Sequence, residues 1–199
     1  AYPFFFSIYH SFHNWVLYKP QLGVPFVGLD QYIRLFSDPL FWNALKRTLI
    51  YVILSVACSV LLGFLQALVL SRDEIKGKGV IRSIMIIPLV ISPVVAGFAF
   101  RFMYNTDLGV LPWMLGQVGF NITRILGDPH LALYAVILVD IWCQTPLPFL
   151  VLLAGIQGIN PELYEVAAID GGSYMQSLRY ITIPMLRRSF LVVLIIRAI

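Results

Sequence analysis

The chain has 199 residues, of which 59% are hydrophobic and only 12% charged, with a net charge of +4. Soluble domains carry about 25% charged residues, and the mean hydropathy here is +0.84, which excludes an ordinary soluble domain and points to an all-α, polytopic membrane helix bundle. The positive charge does not mark a nucleic-acid binder, because the basic residues flank apolar runs, as they do in loops at a membrane surface.

Residues 1–16 read as the remnant of a first transmembrane span. No basic stretch precedes this aromatic run, so it is not a secretory signal. The chain opens without Met inside an aromatic run and stops inside an apolar one. Both ends are therefore expected to be truncated, with further spans beyond them. His10 and His13 share a helical face. With no carboxylate or cysteine nearby, they read as interfacial histidines rather than metal ligands. Trp15 and Tyr18 fit the aromatic belt at a membrane surface.

Residues 17–47 read as an outer amphipathic connector. Within it, Asp38-Pro39 starts a helix with Phe41, Trp42 and Leu45 on one side. Residues 48–70 carry no charge and are long enough to cross the ~30 Å hydrocarbon core. Ser55, Ser59, Gly63 and Ala67 recur at every fourth position, a stripe that lets another helix approach closely. It reads first as a packing seam and second as a wall beside a translocation path. Cys58 and Cys143 sit inside apolar runs and read as small buried residues rather than a disulfide.

Residues 71–82 form a short polar loop with Arg72, Lys76, Lys78 and Arg82, a density that marks the cytoplasmic side. The G-x-x-x-x-G-K-[ST] phosphate loop occurs nowhere in the chain, so any ATP use must come from another polypeptide. Residues 83–104 read as a span interrupted by Pro88 and Pro93, which kink a transmembrane helix as a gating hinge or as a static bend. Residues 105–129 form an outer loop with helical character around 112–118.

Residues 131–156 are a further span containing Asp140, and an ionisable residue at mid-membrane marks function by default. Trp142 and Gln144, near Pro146 and Pro148, would offer a sugar-like ligand a flat apolar face and hydrogen bonds; the other reading is a packing site with one internal ion pair. Residues 185–199 begin the last span in view, with Arg187 and Arg188 at its end and Arg197 inside it. Counted from opposite surfaces, Asp140 and Arg197 both lie roughly 14–18 Å deep at ~1.5 Å per residue. They are expected to pair or to line one wet cavity.

The stretch 160–184, NPELYEVAAIDGGSYMQSLRYITIP, is a long polar interruption between apolar runs. It reads as two short helices joined by a glycine turn. Asn160 is a good N-cap and Pro161 suits the first helical position. Gly171-Gly172 supplies the turn after Asp170. Ser173 and Gln176 form a capping box, and Pro184 is expected to end the second helix. Helices of about two turns are not stable alone, so these must dock on something. Alternation of the spans puts this loop on the same side as 71–82, the side richer in Lys and Arg.

The run EVAAIDGG followed by ITIP resembles the EAA motif of bacterial ABC-importer permeases. Glu165, Ala167, Asp170, Gly171, Ile181 and Pro184 match it. Val166 and Ile183 depart slightly, and Gly172 stands where alanine is usual, which would loosen the turn. The segments FVGLDQYIRLFSDPLFWNAL, IPLVISPVVAG, LGDPHLALYAVILVDIW and INPELYEVAAIDGGS are similar to the carbohydrate-uptake branch, the relatives of maltose and glycerol-3-phosphate permeases. The resemblance implies an ABC-importer type I transmembrane domain over 48–199, multi-pass in the bacterial inner membrane. It also implies a second, different permease subunit, an ABC ATPase dimer that holds ATP-Mg, and an extracytoplasmic solute-binding protein. This chain itself would need no cofactor. In that family the loop is the coupling helix. Glu165, Ala167, Ala168, Asp170 and Gly171 would then meet the ATPase: Glu165 by salt bridge or hydrogen bond, the alanines by close fit, and Gly171 at the bend. Asp140, Trp142, Gln144 and Arg197 would lie on the substrate path or form a mid-membrane ion pair. An ion-gradient-driven secondary transporter with Asp140 as carrier site is the alternative class. A membrane-embedded enzyme finds no nucleophile–base set or metal cluster in the spans.

Overall fold

The computed structural model describes residues 2–14, 23–72, 74–119 and 124–198. Trp15, Tyr18 and the boundary between 16 and 17 lie outside the described residues. The chain divides into two units, Ala1–Ile50 and Tyr51–Ile199.

The first unit holds α1 (Tyr2–Ser11), α2 (Asp30–Ser37) and the start of α3 (Pro39–Ser71). The Tyr32 hydroxyl donates to Ser11 Oγ at 2.7 Å, and the Phe12 and Tyr32 rings lie 5.7 Å apart. These contacts tie α1 to α2. Asp38 Oδ1 accepts from the Leu40 amide at 2.8 Å, which satisfies a free N–H at the helix start anticipated from Asp38-Pro39. His13 Nδ1 donates to the Tyr9 carbonyl at 2.7 Å, so that nitrogen is engaged by the backbone. Among the described residues no group of three or more His, Cys, Asp or Glu is placed to hold a metal.

α3 runs unbroken for 33 residues. The boundary expected between 47 and 48 is not a break in the helix. Lys46 and Arg47 are exposed, and a helix tolerates charge on a solvent-facing turn as readily as an apolar side chain.

The second unit continues α3 and adds α4 (Lys78–Val90), α5 (Pro93–Met103), α6 (Val110–Gln117), α7 (Leu131–Gln144), α8 (Pro146–Gln157), α9 (Glu162–Ile169), α10 (Tyr174–Ser177), a π-helical turn (Leu178–Thr182), α11 (Ile183–Met185) and α12 (Arg187–Ala198). Among the described residues, α3 alone is long and apolar enough to cross a membrane as a single helix; the pairs α4–α5 and α7–α8 qualify if each is taken as one broken span. The span expected at 83–104 is a helix pair bent by 94°. Ile91 is extended and Pro93 opens the second helix, the position where a missing N–H is harmless. The α7–α8 bend is 41°, and Pro146 again starts the second helix.

The small-residue stripe of α3 is a packing seam. Ser55, Ser59, Gly63 and Ala67 are all buried. A Cβ on Gly63 would sit 2.7 Å from both the Phe149 amide nitrogen and Pro148 Cβ, so α8 lies directly on the glycine. The core around this contact joins Ala67 and Leu70 of α3 with Phe149, Leu152 and Leu153 of α8. Ile81 and Met85 of α4 and Phe190 of α12 pack against it. Gly155 repeats the device on the next side of α8, where a Cβ would meet Leu186 Cδ2 at 2.6 Å. Many apolar side chains still face outward, Val90 at 80% and Phe102 at 73% exposure among them. In a chain of this hydropathy such a surface suits lipid or partner helices rather than water.

Candidate functional site: an exposed helical loop and a three-helix charge network

The loop is built from local chemistry. Asn160 Oδ1 accepts from the Glu162 amide at 3.1 Å, so Asn160 caps α9. At the other end Gly171 adopts φ +77°. Its amide donates to the Ala168 carbonyl at 3.1 Å, and the Gly172 amide donates to the Ala167 carbonyl at 2.8 Å. This pair of bonds is a Schellman turn, which needs a left-handed residue where Gly171 stands. Gly172 does not loosen it: a Cβ there would lie 2.7 Å from the Ala167 carbonyl oxygen. The capping box that follows is complete, with the Ser173 amide donating to Gln176 Oε1 at 2.7 Å and the Gln176 amide donating to Ser173 Oγ at 3.4 Å.

Pro184 does not end the helix. Ile183 keeps helical angles, φ −61° and ψ −46°, and its amide donates to the Leu178 carbonyl. That bond reaches five residues back. The wider π turn makes room for the proline ring, and the chain continues through α11 into α12. The second half of the loop thus runs through the π turn to α12, with only Leu186 leaving the helix.

Two contacts dock the loop. The Tyr164 hydroxyl of α9 and Thr182 Oγ1 of the π turn are 3.0 Å apart. The Arg72 guanidinium, just beyond α3, lies 5.1 Å from the centre of the Tyr174 ring. A hydrogen bond donated by Arg72 to the Tyr174 phenol oxygen, and attraction to the phenolate where it ionises, hold Arg72 above its ordinary pKa. Glu165, Ala168, Asp170 and Gly171 are exposed, and Ala167 is half-buried. Two apolar side chains stand among them, Val166 at 57% and Ile169 at 84% exposure. Neither stood among the residues expected to meet the ATPase. The available signal was an isoleucine at the polar end of a two-turn helix, where burial within one chain is difficult.

Higher in the bundle, Arg197 Nη2 of α12 donates to Asp140 Oδ2 of α7 and to Ser55 Oγ of α3, each at 2.7 Å. Ser55 Oγ also donates to Asp140 Oδ2, and the Tyr51 phenol interacts with the same carboxylate. The Arg197 and Asp140 side chains are 11% and 20% exposed. A buried charge pair with hydrogen bonds from a third helix fixes the relative rotation of all three elements. Ser55 was classed with the packing seam, and its second role has no separate mark in the sequence.

The other two residues expected beside this pair lie elsewhere. Trp142 is roughly half a turn round α7 from Asp140 at 3.6 residues per turn. It packs edge-on to Phe100, with ring centres 5.3 Å apart, and lines a cavity of about 360 Å³ with Gln66, Pro88 and Thr145. Gln144 is half-buried one turn beyond Asp140, and neither it nor the ion pair lines that cavity.

No family model matches the chain. Individual relatives do. The chain is 31% identical to the inner membrane ABC transporter permease protein YcjO of Escherichia coli, over 100% of its own length and 68% of that protein. The chain belongs to the ABC transporter permeases. This permease is also 37% identical, over 95% of its length, to the trehalose/maltose transport system permease protein MalF of Thermococcus litoralis. It is 38% identical, over 92% of its length, to the probable ABC transporter permease protein y4oQ of Sinorhizobium fredii. It spans 63% and 59% of those two proteins. Among solved structures, it superposes with a TM-score of 0.77 at 31% identity on a bacterial ABC transporter involved in the import of the acidic polysaccharide alginate, covering 91% of this chain and 66% of that one. The all-α membrane bundle described above is the part of this chain that superposes on that transporter.

Proposed function

We propose that this permease is the membrane-spanning subunit of an ATP-driven importer for a sugar or sugar-like solute. It would work by alternating access, coupled through residues 160–184 to a separate ATPase that holds ATP-Mg. The observation that carries this reading is the loop itself. α9 is capped at both ends, tied by Tyr164 to Thr182 of the π turn that leads towards α12, and yet presents Glu165, Val166 and Ile169 outward. A rigid two-turn helix with one acid and two exposed apolar side chains suits insertion into a partner's cleft. Motion of that partner would pass directly into α12 and, through Arg197, into α7 and α3. ATP acts in such a scheme only by favouring one conformation of the assembly over the other.

The sugar class is supported by two relatives, one named for trehalose and maltose transport and one solved structure involved in alginate import. A further similar structure is a bacterial alginate ABC transporter in complex with an alginate pentasaccharide-bound periplasmic protein. Delivery by an extracytoplasmic binding protein is the corresponding proposal here, along with a second permease subunit and residence in the bacterial inner membrane. Trp142 and Gln66, on the cavity wall, are the side chains best suited to a sugar face and a hydroxyl. The Asp140 carboxylate is bound by Arg197 and Ser55, and the pair serves this reading as a link between helices.

The test is Glu165→Lys in the full-length permease, assembled with its ATPase in proteoliposomes. Loss of ATP-driven uptake with normal membrane insertion supports the coupling role. Uptake at the wild-type rate refutes it.

A further inference from the structure

Beside the loop lies a second feature that transport by itself does not require. A cavity of about 470 Å³ opens between the end of α3, the start of α4 and the coupling loop, and its wall includes Arg72, Lys78, Arg82, Tyr164, Tyr174 and Thr182. Three of these side chains are cationic. Among the described residues that line it, none is acidic. Among the described residues, Glu74 in the neighbouring loop acts on Arg72 as a minor influence compared with Tyr174.

The cations are held in place. Arg72 rests on the Tyr174 ring. Arg82 Nη2 donates to the Leu70 carbonyl at 3.2 Å, which pins one edge of its guanidinium to the end of α3. The Nε–H of the same group is buried with no hydrogen-bond partner. A buried donor without an acceptor costs free energy, so a ligand oxygen there would be stabilising. Lys78 is the first residue of α4, where the helix dipole adds partial positive charge. Tyr164, Tyr174 and Thr182 bring hydroxyl groups to the same wall.

We propose that this cavity binds a phosphate group, carried either by a small soluble phosphate compound or by an anionic lipid headgroup. Two planar guanidinium groups suit phosphate, whose oxygens accept paired N–H donors. The ligand would join the α3–α4 corner, residues 72–82, to the coupling loop, because Arg72 and Arg82 come from one and Tyr164, Tyr174 and Thr182 from the other. It would therefore stiffen the joint through which α9 moves the bundle. The inference goes beyond the import reading and is tested by binding alone, so its failure leaves ATP-driven uptake untouched.

The full-length permease in its complete transporter is placed in nanodiscs of phosphatidylcholine. One arm titrates inorganic phosphate; the other replaces part of the lipid with phosphatidylglycerol. Binding is read as a shift in thermal unfolding and, for lipid, as bound molecules in native mass spectrometry. Phosphate or phosphatidylglycerol is expected to stabilise the wild type, and whichever does so identifies the source. Each cation removed from the set Arg72→Gln, Lys78→Gln and Arg82→Gln is expected to weaken binding about tenfold. Arg72→Lys is expected to retain most of it. Arg72→Gln alone, at an exposed position, serves if the triple variant does not fold. No stabilisation of the wild type by either anion overturns the proposal, as does equal binding by wild type and Arg72→Gln.

Discussion

Replacing Arg197 by glutamine removes the cation that α12 contributes to α7 and α3. Arg197 Nη2 makes bonds of 2.7 Å to both Asp140 and Ser55. In the variant the Asp140 carboxylate keeps the Ser55 hydroxyl but loses its counter-charge. Breaking a fully buried pair this way costs about 3–5 kcal/mol. Asp140 retains 20% exposure, so the low end, about 3 kcal/mol, applies. Asp140→Asn leaves Arg197 with Ser55 and a neutral acceptor, at a cost of about 2 kcal/mol on the same grounds. If the two residues act as a pair, the double variant costs less than the sum, with a coupling of about 1–3 kcal/mol. The assay is a double-mutant cycle on the full-length permease in detergent micelles, read by denaturant unfolding. Additivity within about 0.5 kcal/mol would refute the pairing. An apolar double replacement, Asp140→Leu with Arg197→Met, sharpens the point: buried ion pairs are often replaceable by packed apolar side chains. It is expected to recover most of the stability that Arg197→Gln loses while impairing transport. Full transport by this variant would show that the charges serve packing alone.

Gly63→Val is expected to destabilise the bundle by about 1–3 kcal/mol through overpacking, since a Cβ there already meets Pro148 Cβ at 2.7 Å; an unchanged melting temperature contradicts the α3–α8 contact. Gly171→Ala places a side chain at φ +77°, a cost of about 1–2 kcal/mol. Faster amide exchange at positions 171 and 172 would report it, and unchanged exchange argues against the Schellman turn. Ser173→Ala removes one arm of the capping box, at about 1 kcal/mol, and is expected to speed exchange of the Gln176 amide; no change there argues against the box.

The loop was legible because its signals are local. Asn160, Gly171, Ser173 and Gln176 each act on backbone groups within a few residues, so spacing alone locates them. The Asp140–Arg197 pairing was legible for a different reason: rise per residue is nearly constant in a helix, so depth can be counted from each surface. Rotation about the helix axis cannot be counted that way. That is why Trp142 was grouped with Asp140 yet faces another cavity, and why Ser55 was not seen as a third member. The prolines were misjudged where local and tertiary effects compete. Pro93 opens a new helix after a 94° turn, a sharper break than a kinked span. Pro184 does not end the helix at the residue before it, because the π turn widens the backbone there; the chain leaves the helix only at Leu186, two residues on. The anion cavity draws on separate segments, and no single stretch of sequence contains it.

The measurement that bears most directly on the proposed role is solute uptake into proteoliposomes holding the full-length permease, its partner permease, its ATPase and its binding protein. Uptake is expected to require ATP and the ATPase subunit, and to persist when a protonophore collapses the ion gradient. Uptake that continues without the ATPase and stops with the protonophore would contradict it, and would make Asp140 the carrier site of a gradient-driven transporter.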